Sequence, residues 1–185
     1  MAASSSSSAA RLLLGIRRVG DPILTSVSRP VVPTDRAVVA ARNELHATLS
    51  AFRQVMGFGR AIAAPQIGHP MRMIALNLGG GEEFTMHNPE LINRSDDTFT
   101  LFDDCFSFPD MLVRVRRHAD VGVRYQDDTG SFVEVASVGR VLAELLQHET
   151  DHLDGLTSFD RAEGVGAVIH RDIYLAHKEA FDASE

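Results

Sequence analysis

The sequence has 185 residues, of which 44% are hydrophobic, so it is the size of one domain with enough apolar side chains for a single core. Acidic residues outnumber basic ones by 25 to 18 and the formal net charge is −7, which argues against generic binding to nucleic acid or to an anionic membrane. The single cysteine excludes an internal disulfide, and no apolar run approaches the roughly 20 residues that cross a bilayer.

The amino-terminal segment differs in composition from the rest of the chain. Its first nineteen residues contain serine, alanine and arginine but no acid, which is typical of a transit peptide and also of a disordered tail. We predict that residues 1–14 are a disordered tail or a short targeting segment, and that residues 15–185 form a single domain.

The first half of the domain combines one long helix with turn-rich segments. Glycines and prolines in residues 17–33 and 57–70 predict an extended lead-in and a loop. Between them, apolar residues recur at helical spacing after Thr34, a suitable N-cap, until Gly57 ends the pattern. This pattern predicts an amphipathic helix of about five or six turns.

The middle of the chain is typical of β-structure. Strands are predicted over residues 71–78, 84–92 with an interruption at Pro89, 98–108, 113–125 and 132–138. The last two flank a turn signature at residues 127–130 and should form a hairpin.

Helical spacing returns near the carboxyl end, with helices predicted over residues 137–155 and 165–181. In the first, Val138, Val141, Leu142, Leu145 and Leu146 mark one face. A helix, several mostly antiparallel strands and two further helices give an α+β arrangement in one domain.

A metal-site motif lies on the first of these carboxyl-end helices. His148, Glu149 and His152 form HETDH, and residues four apart lie one turn above each other on the same face. Two imidazoles can then hold one metal ion, while the glutamate reaches a water molecule beside it. Alternatively, the histidines are capping residues near a helix end, where a positive imidazole is also favoured.

A third ligand distinguishes these interpretations, because catalytic zinc-type sites usually have three protein ligands and a water molecule. No histidine follows the motif closely, and Glu163 and Glu179 lack a supporting motif. Cys105 lies among polar neighbours in a strand-like run, although a single cysteine is more often a buried core residue. As a ligand, Cys105 would be the third protein donor to the metal, beside the two histidines.

Three separated blocks resemble the motifs of the peptide deformylase family, in the family's order. Residues 59–66, GRAIAAPQ, are similar to GxGLAAPQ, residues 103–107, DDCFS, to EGCLS, and residues 147–155, QHETDHLDG, match QHExDHLDG throughout. The resemblance implies an α+β domain with antiparallel sheets around a central HExxH helix and a helix near each end. It also implies hydrolysis of the N-formyl group from the starting methionine of new polypeptides.

Carried over residue by residue, the resemblance implies that Cys105, His148 and His152 bind the metal and that Glu149 is the general base and acid. Gln66 and the backbone N–H of Phe106 then face the developing oxyanion. Fe(II) is the metal that the family implies, although the ligand set also suits Zn(II), Ni(II) or Co(II).

The substrate site is expected along Gly59, Arg60, Ala61, Asp104 and Leu145, and three of these depart from the family pattern. Ala61 replaces a glycine, Arg60 an apolar residue and Asp104 a glycine beside the substrate backbone. We predict that Arg60 pairs with Glu144, one helical turn before His148.

The sequence also predicts one further ion pair and the roles of the remaining histidines. Asp103 is expected to pair with Arg117 in a structural role. The other six histidines have no ligand-like spacing and are expected to be surface or structural residues: His46, His69, His87, His118, His170 and His177.

Two other functions remain open at this point: a deformylase-like protein with altered substrate or little turnover, and a zincin-like endopeptidase with a third ligand other than Cys105. For the deformylase hypothesis the partner is an N-formyl-methionyl peptide, met at the ribosome exit, with no sequence-specific nucleic acid and no membrane. The expected location is the cytoplasm in a bacterium, or a mitochondrion or plastid in a eukaryote.

Overall fold

The computed structural model describes residues 11–182. Of the predicted tail, residues 1–10 lie outside this range and residues 11–14 are helical. Four α-helices follow: α1 (Arg36–Met56), α2 (Arg140–Leu153), α3 (Arg171–Ala176) and α4 (Lys178–Asp182). None of the helices in the described range is long and apolar enough to cross a membrane.

Eight strands in the described range form two antiparallel sheets. One sheet has the order β1-β2-β3-β6-β7 and the other the order β4-β5-β8. The strands are β1 (Ala61–Ala63), β2 (Met73–Asn77), β3 (Glu83–Ile92), β4 (Thr98–Asp104), β5 (Met111–His118), β6 (Gly122–Gln126), β7 (Phe132–Val135) and β8 (Val168–His170). Together with the helices, they confirm the predicted α+β class and its mostly antiparallel pairing.

Helix α2 lies between the sheets, with contacts to β1, β3 and β5. Every residue from Leu145 to Leu153 is buried, because one side packs against the first sheet and the other against the second. Helix α1 covers the opposite face of β1 and β2 with an apolar stripe that includes Leu45, Leu49 and Phe52. The motif helix is therefore the centre of the domain, which explains how a helix with several charged residues can be buried.

Helix α1 begins one residue later than predicted and ends as predicted. Asp35, rather than Thr34, is its N-cap, and the Asp35 side chain makes no capping hydrogen bond. At the other end Gly57 has a φ of 78°, and its N–H donates to the carbonyl of Arg53. This left-handed conformation favours glycine, so the stop signal in the sequence has a direct structural cause.

Several predicted bounds were wrong because tertiary contacts override local pattern. Residues 113–125 form two strands in different sheets, since the chain turns between His118 and Gly122 to pass from one sheet to the other. The predicted loop at residues 57–70 contains β1, which pairs with β2, and a 3-10 helix at Ala64–Ile67. The strands predicted over residues 71–78 and 84–92 are confirmed as β2 and β3 to within two residues at each end, and the pairing of β3 with β6 shifts register between His87 and Glu90, at the predicted interruption. The predicted hairpin is also present, as β6 and β7.

The carboxyl end also differs from prediction. Instead of one helix over residues 165–181, β8 adds to β5 and is followed by the short helices α3 and α4. Pairing with the edge of β5 satisfies the backbone groups of Val168–His170, which a helix would have had to satisfy internally. Val141, predicted on the apolar face of α2, is 73% exposed because it lies in the first helical turn, before α2 enters the space between the sheets.

Candidate active site

Helix α2 carries the two motif histidines on one face. Their rings lie 4.8 Å apart at an interplanar angle of 85°, and the two Nε2 atoms are separated by 3.2 Å. Four residues span slightly more than one turn of an α-helix, so side chains at this spacing converge on one point. Both histidines are buried.

Cys105 approaches the histidines of α2 from the sheet formed by β4, β5 and β8. It follows directly after β4, in a loop rather than in the strand predicted over residues 98–108. Its Sγ lies 3.2 Å from Nε2 of His152, and Cys105 is 5% exposed. The end of β4 thus brings the thiol to the buried face of α2.

The three donor atoms fit a single metal ion. Among the described residues, Cys105, His148 and His152 are the one group of three or more such side chains whose ligand atoms all lie within 4.8 Å of one another. Tetrahedral coordination with ordinary zinc-type bond lengths places two nitrogens about 3.3 Å apart, and a sulfur and a nitrogen about 3.5 Å apart. The observed separations of 3.2 Å are close to both values.

A buried carboxylate orients the first histidine. Asp103 Oδ2 lies 2.9 Å from Nδ1 of His148 and 2.9 Å from Nη2 of Arg117, and it also accepts a hydrogen bond of 3.1 Å from the hydroxyl of Ser158. The expected Asp103–Arg117 pair is therefore present. With Nδ1 bonded to the carboxylate, Nε2 of His148 is directed toward the cluster.

Arg117 continues this network behind the helix. It also pairs with Asp151, which in turn pairs with Arg161 at 2.8 Å. Arg117 and Asp103 are both nearly fully buried, so each needs its partner to offset the loss of hydration. The network fixes β4, β5 and α2 relative to one another.

The two histidines have opposite pKa shifts. Burial by itself lowers the pKa of His148, but Asp103 and Cys105 together outweigh it and raise the pKa well above the ordinary value. Burial, together with the charge on His148, lowers the pKa of His152 well below its ordinary value. Because a metal binds the neutral form of imidazole, a metal ion at this cluster would displace the proton from His148.

Glu149 lines the same cavity and is 3% exposed. Burial raises the pKa of Glu149 to about 7. Its Oε2 is buried and has no hydrogen-bond partner among the described residues. A buried carboxylate with an unused oxygen and a pKa near neutrality can both accept and return a proton.

Gln66 is held rigidly in the 3-10 helix that follows β1. Its Oε1 accepts a hydrogen bond of 2.8 Å from the N–H of Ala63, which fixes the orientation of the amide. Nε2 then lies 3.3 Å from both Cys105 Sγ and Ser107 Oγ. The side chain therefore presents N–H donors to the cluster.

A cavity of about 490 Å³ opens onto these groups. All the residues predicted to contact substrate line this cavity: Gly59, Arg60, Ala61, Asp104 and Leu145. Cys105, His148, Glu149, Gln66 and Phe106 line it as well, whereas His152 lies behind them. Arg60 pairs with Glu144, as predicted. Asp104 pairs with Arg171 of α3 at 3.0 Å, so its charge is matched by a residue that the sequence analysis did not consider.

Sequence reasoning missed several residues of this site. Ser107 and Ser158 provide hydroxyls to Gln66 and Asp103, while Arg53 and Phe58 line the cavity. Only Ser107 had a signal, since it belongs to the DDCFS block. The others come from segments without a motif and reach the site only through tertiary packing.

The remaining histidines lie away from the cluster, in agreement with their predicted structural roles. His46 bonds Thr85 at 2.8 Å, His69 pairs with Glu44 and His87 with Asp128, each at 2.9 Å. Burial lowers the pKa of His46. None of these rings shares a ligand group with another within the described range.

An α+β domain with HExxH on a buried central helix and a cysteine beside the two histidines is the arrangement of a mononuclear metallohydrolase. The family model for polypeptide deformylase matches residues 13–167. Peptide deformylase from Thermotoga neapolitana is 34% identical over 146 residues, covering 79% of this chain and 85% of its own. The Bartonella tribocorum enzyme is 36% identical over 146 residues, covering 76% and 79%.

Solved structures give the same result. The crystal structure of peptide deformylase from Thermotoga maritima superposes with a TM-score of 0.71 at 30% identity, covering 80% of this chain and 97% of that one. The Synechococcus elongatus enzyme, solved in complex with actinonin, has a TM-score of 0.73 at 26% identity, covering 91% and 84%. The chain belongs to the peptide deformylase family, which implies a single catalytic metal.

Proposed function

We propose that this enzyme hydrolyses the N-formyl group from the amino-terminal methionine of newly synthesised polypeptides. The observation that carries the proposal is the convergence of Cys105, His148 and His152 on one point beside Glu149 and Gln66. Together with family membership, this supplies a cation site, a proton-transfer group and a hydrogen-bond donor in one cavity.

In the proposed mechanism Cys105, His148 and His152 hold the metal. A bound divalent cation acts as a Lewis acid and makes water nucleophilic near neutral pH. Glu149 takes the proton of the attacking water and delivers it to the amide nitrogen as the carbon–nitrogen bond breaks. The products are formate and a free amino terminus, so atoms and charge balance.

Gln66 and the backbone N–H of Phe106 are proposed to donate hydrogen bonds to the formyl oxygen as negative charge develops on it. The bond from Ala63 holds the Gln66 amide in place before substrate binds, so little reorganisation is needed during the reaction. Loss of one such donor typically costs about 3 kcal/mol of transition-state stabilisation.

Fe(II) is the metal we propose in the cell, with Zn(II), Ni(II) or Co(II) as ions that the same donors accept. The proposed partner is the formyl-methionyl chain at the ribosome exit, and neither nucleic acid nor a membrane is required. The cytoplasm of a bacterium, or a mitochondrion or plastid, is the corresponding location, with residues 1–14 as a tail or a short targeting segment.

The zincin-like endopeptidase alternative requires a third ligand other than Cys105. Within the described range, neither Glu163 nor Glu179 joins a group of metal-binding side chains with the two histidines. The low-turnover alternative depended on Arg60 and Asp104, and both are neutralised by ion pairs. Deformylase activity is therefore the function that the site supports best.

The test is an assay of anaerobically purified, metal-analysed protein on formyl-Met-Ala-Ser. The wild type should release formate, whereas Cys105→Ala should lose metal and Glu149→Ala should keep metal but lose turnover. Metal retained in full by Cys105→Ala, or full activity in Glu149→Ala, would contradict the proposed roles. Metal bound without turnover on any formyl peptide would favour the low-turnover alternative.

A further inference from the structure

An ion pair forms part of the wall of the active-site cavity. Arg60 precedes β1, and its Nη2 pairs with Oε1 of Glu144 on α2, while its Nη1 donates a hydrogen bond of 3.1 Å to the carbonyl of Val141. The Glu144 side chain is 17% exposed and that of Arg60 is 41% exposed. The pair therefore lies at the transition between the cavity and solvent.

Helix geometry brings this pair within reach of the first residue of a formyl peptide. Glu144 precedes His148 by four residues, which is about 6 Å along the helix axis on the same face. In a formyl peptide the first Cα lies only about 2.4 Å from the formyl carbon, across one amide nitrogen. An unbranched side chain of four or five atoms spans the remaining distance from the reacting carbon to a wall one helical turn away.

The walls around the pair differ in chemistry along the path of such a side chain. Leu145 and Phe106 are apolar and buried, whereas Arg60 and Glu144, which line the same cavity, are charged and more exposed. We call the part of the cavity lined by Leu145, Phe106, Arg60 and Glu144 the first-residue pocket. It offers apolar surface to the stem of a side chain and charged groups to its end.

The ion pair penalises an end group that cannot form hydrogen bonds. A wholly apolar chain would displace water from the guanidinium and the carboxylate without replacing the hydrogen bonds lost. A guanidinium has five N–H donors, and the two bonds to Glu144 and Val141 leave several of them for a ligand. An oxygen acceptor near the end of the side chain can therefore compensate for the water that it displaces.

We propose that the Arg60–Glu144 pair is a specificity determinant that shifts recognition of the first residue toward unbranched side chains ending in a hydrogen-bond acceptor, such as glutamine or methionine sulfoxide. The comparison is with apolar side chains of equal length, such as norleucine. This inference rests on the proposed deformylase function, because that reaction brings the first residue to the pair.

The test compares kcat/KM for formyl-Gln-Ala-Ser, formyl-Met(sulfoxide)-Ala-Ser and formyl-norleucyl-Ala-Ser. The proteins are metal-loaded wild type, the double variant Arg60→Leu/Glu144→Leu, and the control Arg124→Leu/Glu134→Leu. The control removes an exposed ion pair of 2.9 Å on the β6–β7 hairpin by the same substitutions. The polar-to-apolar ratio is kcat/KM for the glutamine or methionine sulfoxide peptide divided by kcat/KM for the norleucyl peptide. This ratio should fall at least tenfold in the Arg60/Glu144 variant and stay within twofold of wild type in the control.

A binding measurement separates this inference from the proposed function. In a Glu149→Gln background, calorimetry gives Kd for the same three peptides with and without the double substitution, independently of turnover. Suppose that the double substitution lowers the affinity for the two polar peptides tenfold relative to the norleucyl peptide, while no protein, including the wild type, turns over any peptide. That result would support the first-residue pocket and overturn the proposed activity. An unchanged ratio in kcat/KM and Kd, or no binding of any peptide, would overturn the inference.

Discussion

Nδ1 of His148 and Oδ2 of Asp103 lie 2.9 Å apart, entirely within the protein interior. This contact links the end of β4 to the centre of α2 and directs Nε2 of His148 toward Cys105 and His152. Because Arg117 and Ser158 also bond Asp103, the carboxylate has little freedom to move. The orientation of a proposed metal ligand thus depends on a residue that does not contact the metal.

Asp103→Asn should weaken metal binding. The amide keeps the size of the side chain but loses the charge that fixes the histidine tautomer, and loss of such a partner typically costs 10- to 100-fold in metal affinity. Competition titration with a chromophoric chelator measures this change. Asp35→Asn is the control, since Asp35 is exposed and its side chain makes no capping bond. Equal metal affinity in Asp103→Asn and wild type would contradict the orienting role.

Metal removal should lower stability in the wild type but not in Cys105→Ala. A ligand present at 1,000 times its Kd stabilises the folded state by about 4.1 kcal/mol, and the variant lacks one of the three proposed donors. Calorimetric melting with and without a chelator measures the difference. A chelator-dependent shift of the same size in both proteins would show that Cys105 contributes nothing to metal binding.

Gln66→Glu should lower kcat by about 100-fold. The carboxylate retains an oxygen that can accept from the N–H of Ala63 but replaces the N–H donors that now face Cys105 and Ser107. Gln126→Glu, on the β6–β7 hairpin away from the cavity, is the matched control. Single-turnover kinetics measure the chemical step, and a kcat within twofold of wild type would rule out a donor role for Gln66.

Gly59→Ala should damage both stability and substrate binding. Gly59 has a φ of 119°, and a Cβ there would lie 2.6 Å from Cζ of Phe106, whose ring stacks on Phe52 at 3.6 Å. We expect a loss of about 1–3 kcal/mol in the free energy of unfolding from the backbone alone, together with a raised KM.

The control for this substitution is Gly20→Ala, which has a similar φ of 99° but open space around the added atom. Chemical denaturation and steady-state kinetics of the two variants separate backbone strain from the contact with Phe106. An equal loss of stability in both variants, with an unchanged KM in Gly59→Ala, would contradict the contact.

Much of the site could be predicted from the sequence because its chemistry depends on local spacing. The HETDH motif determines that two imidazoles share a helix face, and this relationship holds wherever the helix packs. Charge complementarity likewise predicted the pairs of Asp103 with Arg117 and of Arg60 with Glu144, and both are present. A family resemblance carried by three ordered motifs supplied Cys105 as the third donor.

Other features required tertiary structure because they depend on pairing between distant segments. Local pattern cannot show that the chain changes sheets between β5 and β6, or that β8 completes the edge of β5. It also could not show that Arg171 neutralises Asp104 across 67 residues of sequence, or that Ser158 reaches Asp103 across 55.

The sequence by itself determined which side chains we propose to carry the chemistry, since helix periodicity and donor type are properties of short segments. Only the tertiary structure decided that a sulfur after β4 lies 3.2 Å from an imidazole nitrogen on α2. That distance results from packing two sheets on opposite sides of one helix, which depends on burying apolar surface contributed by the whole chain.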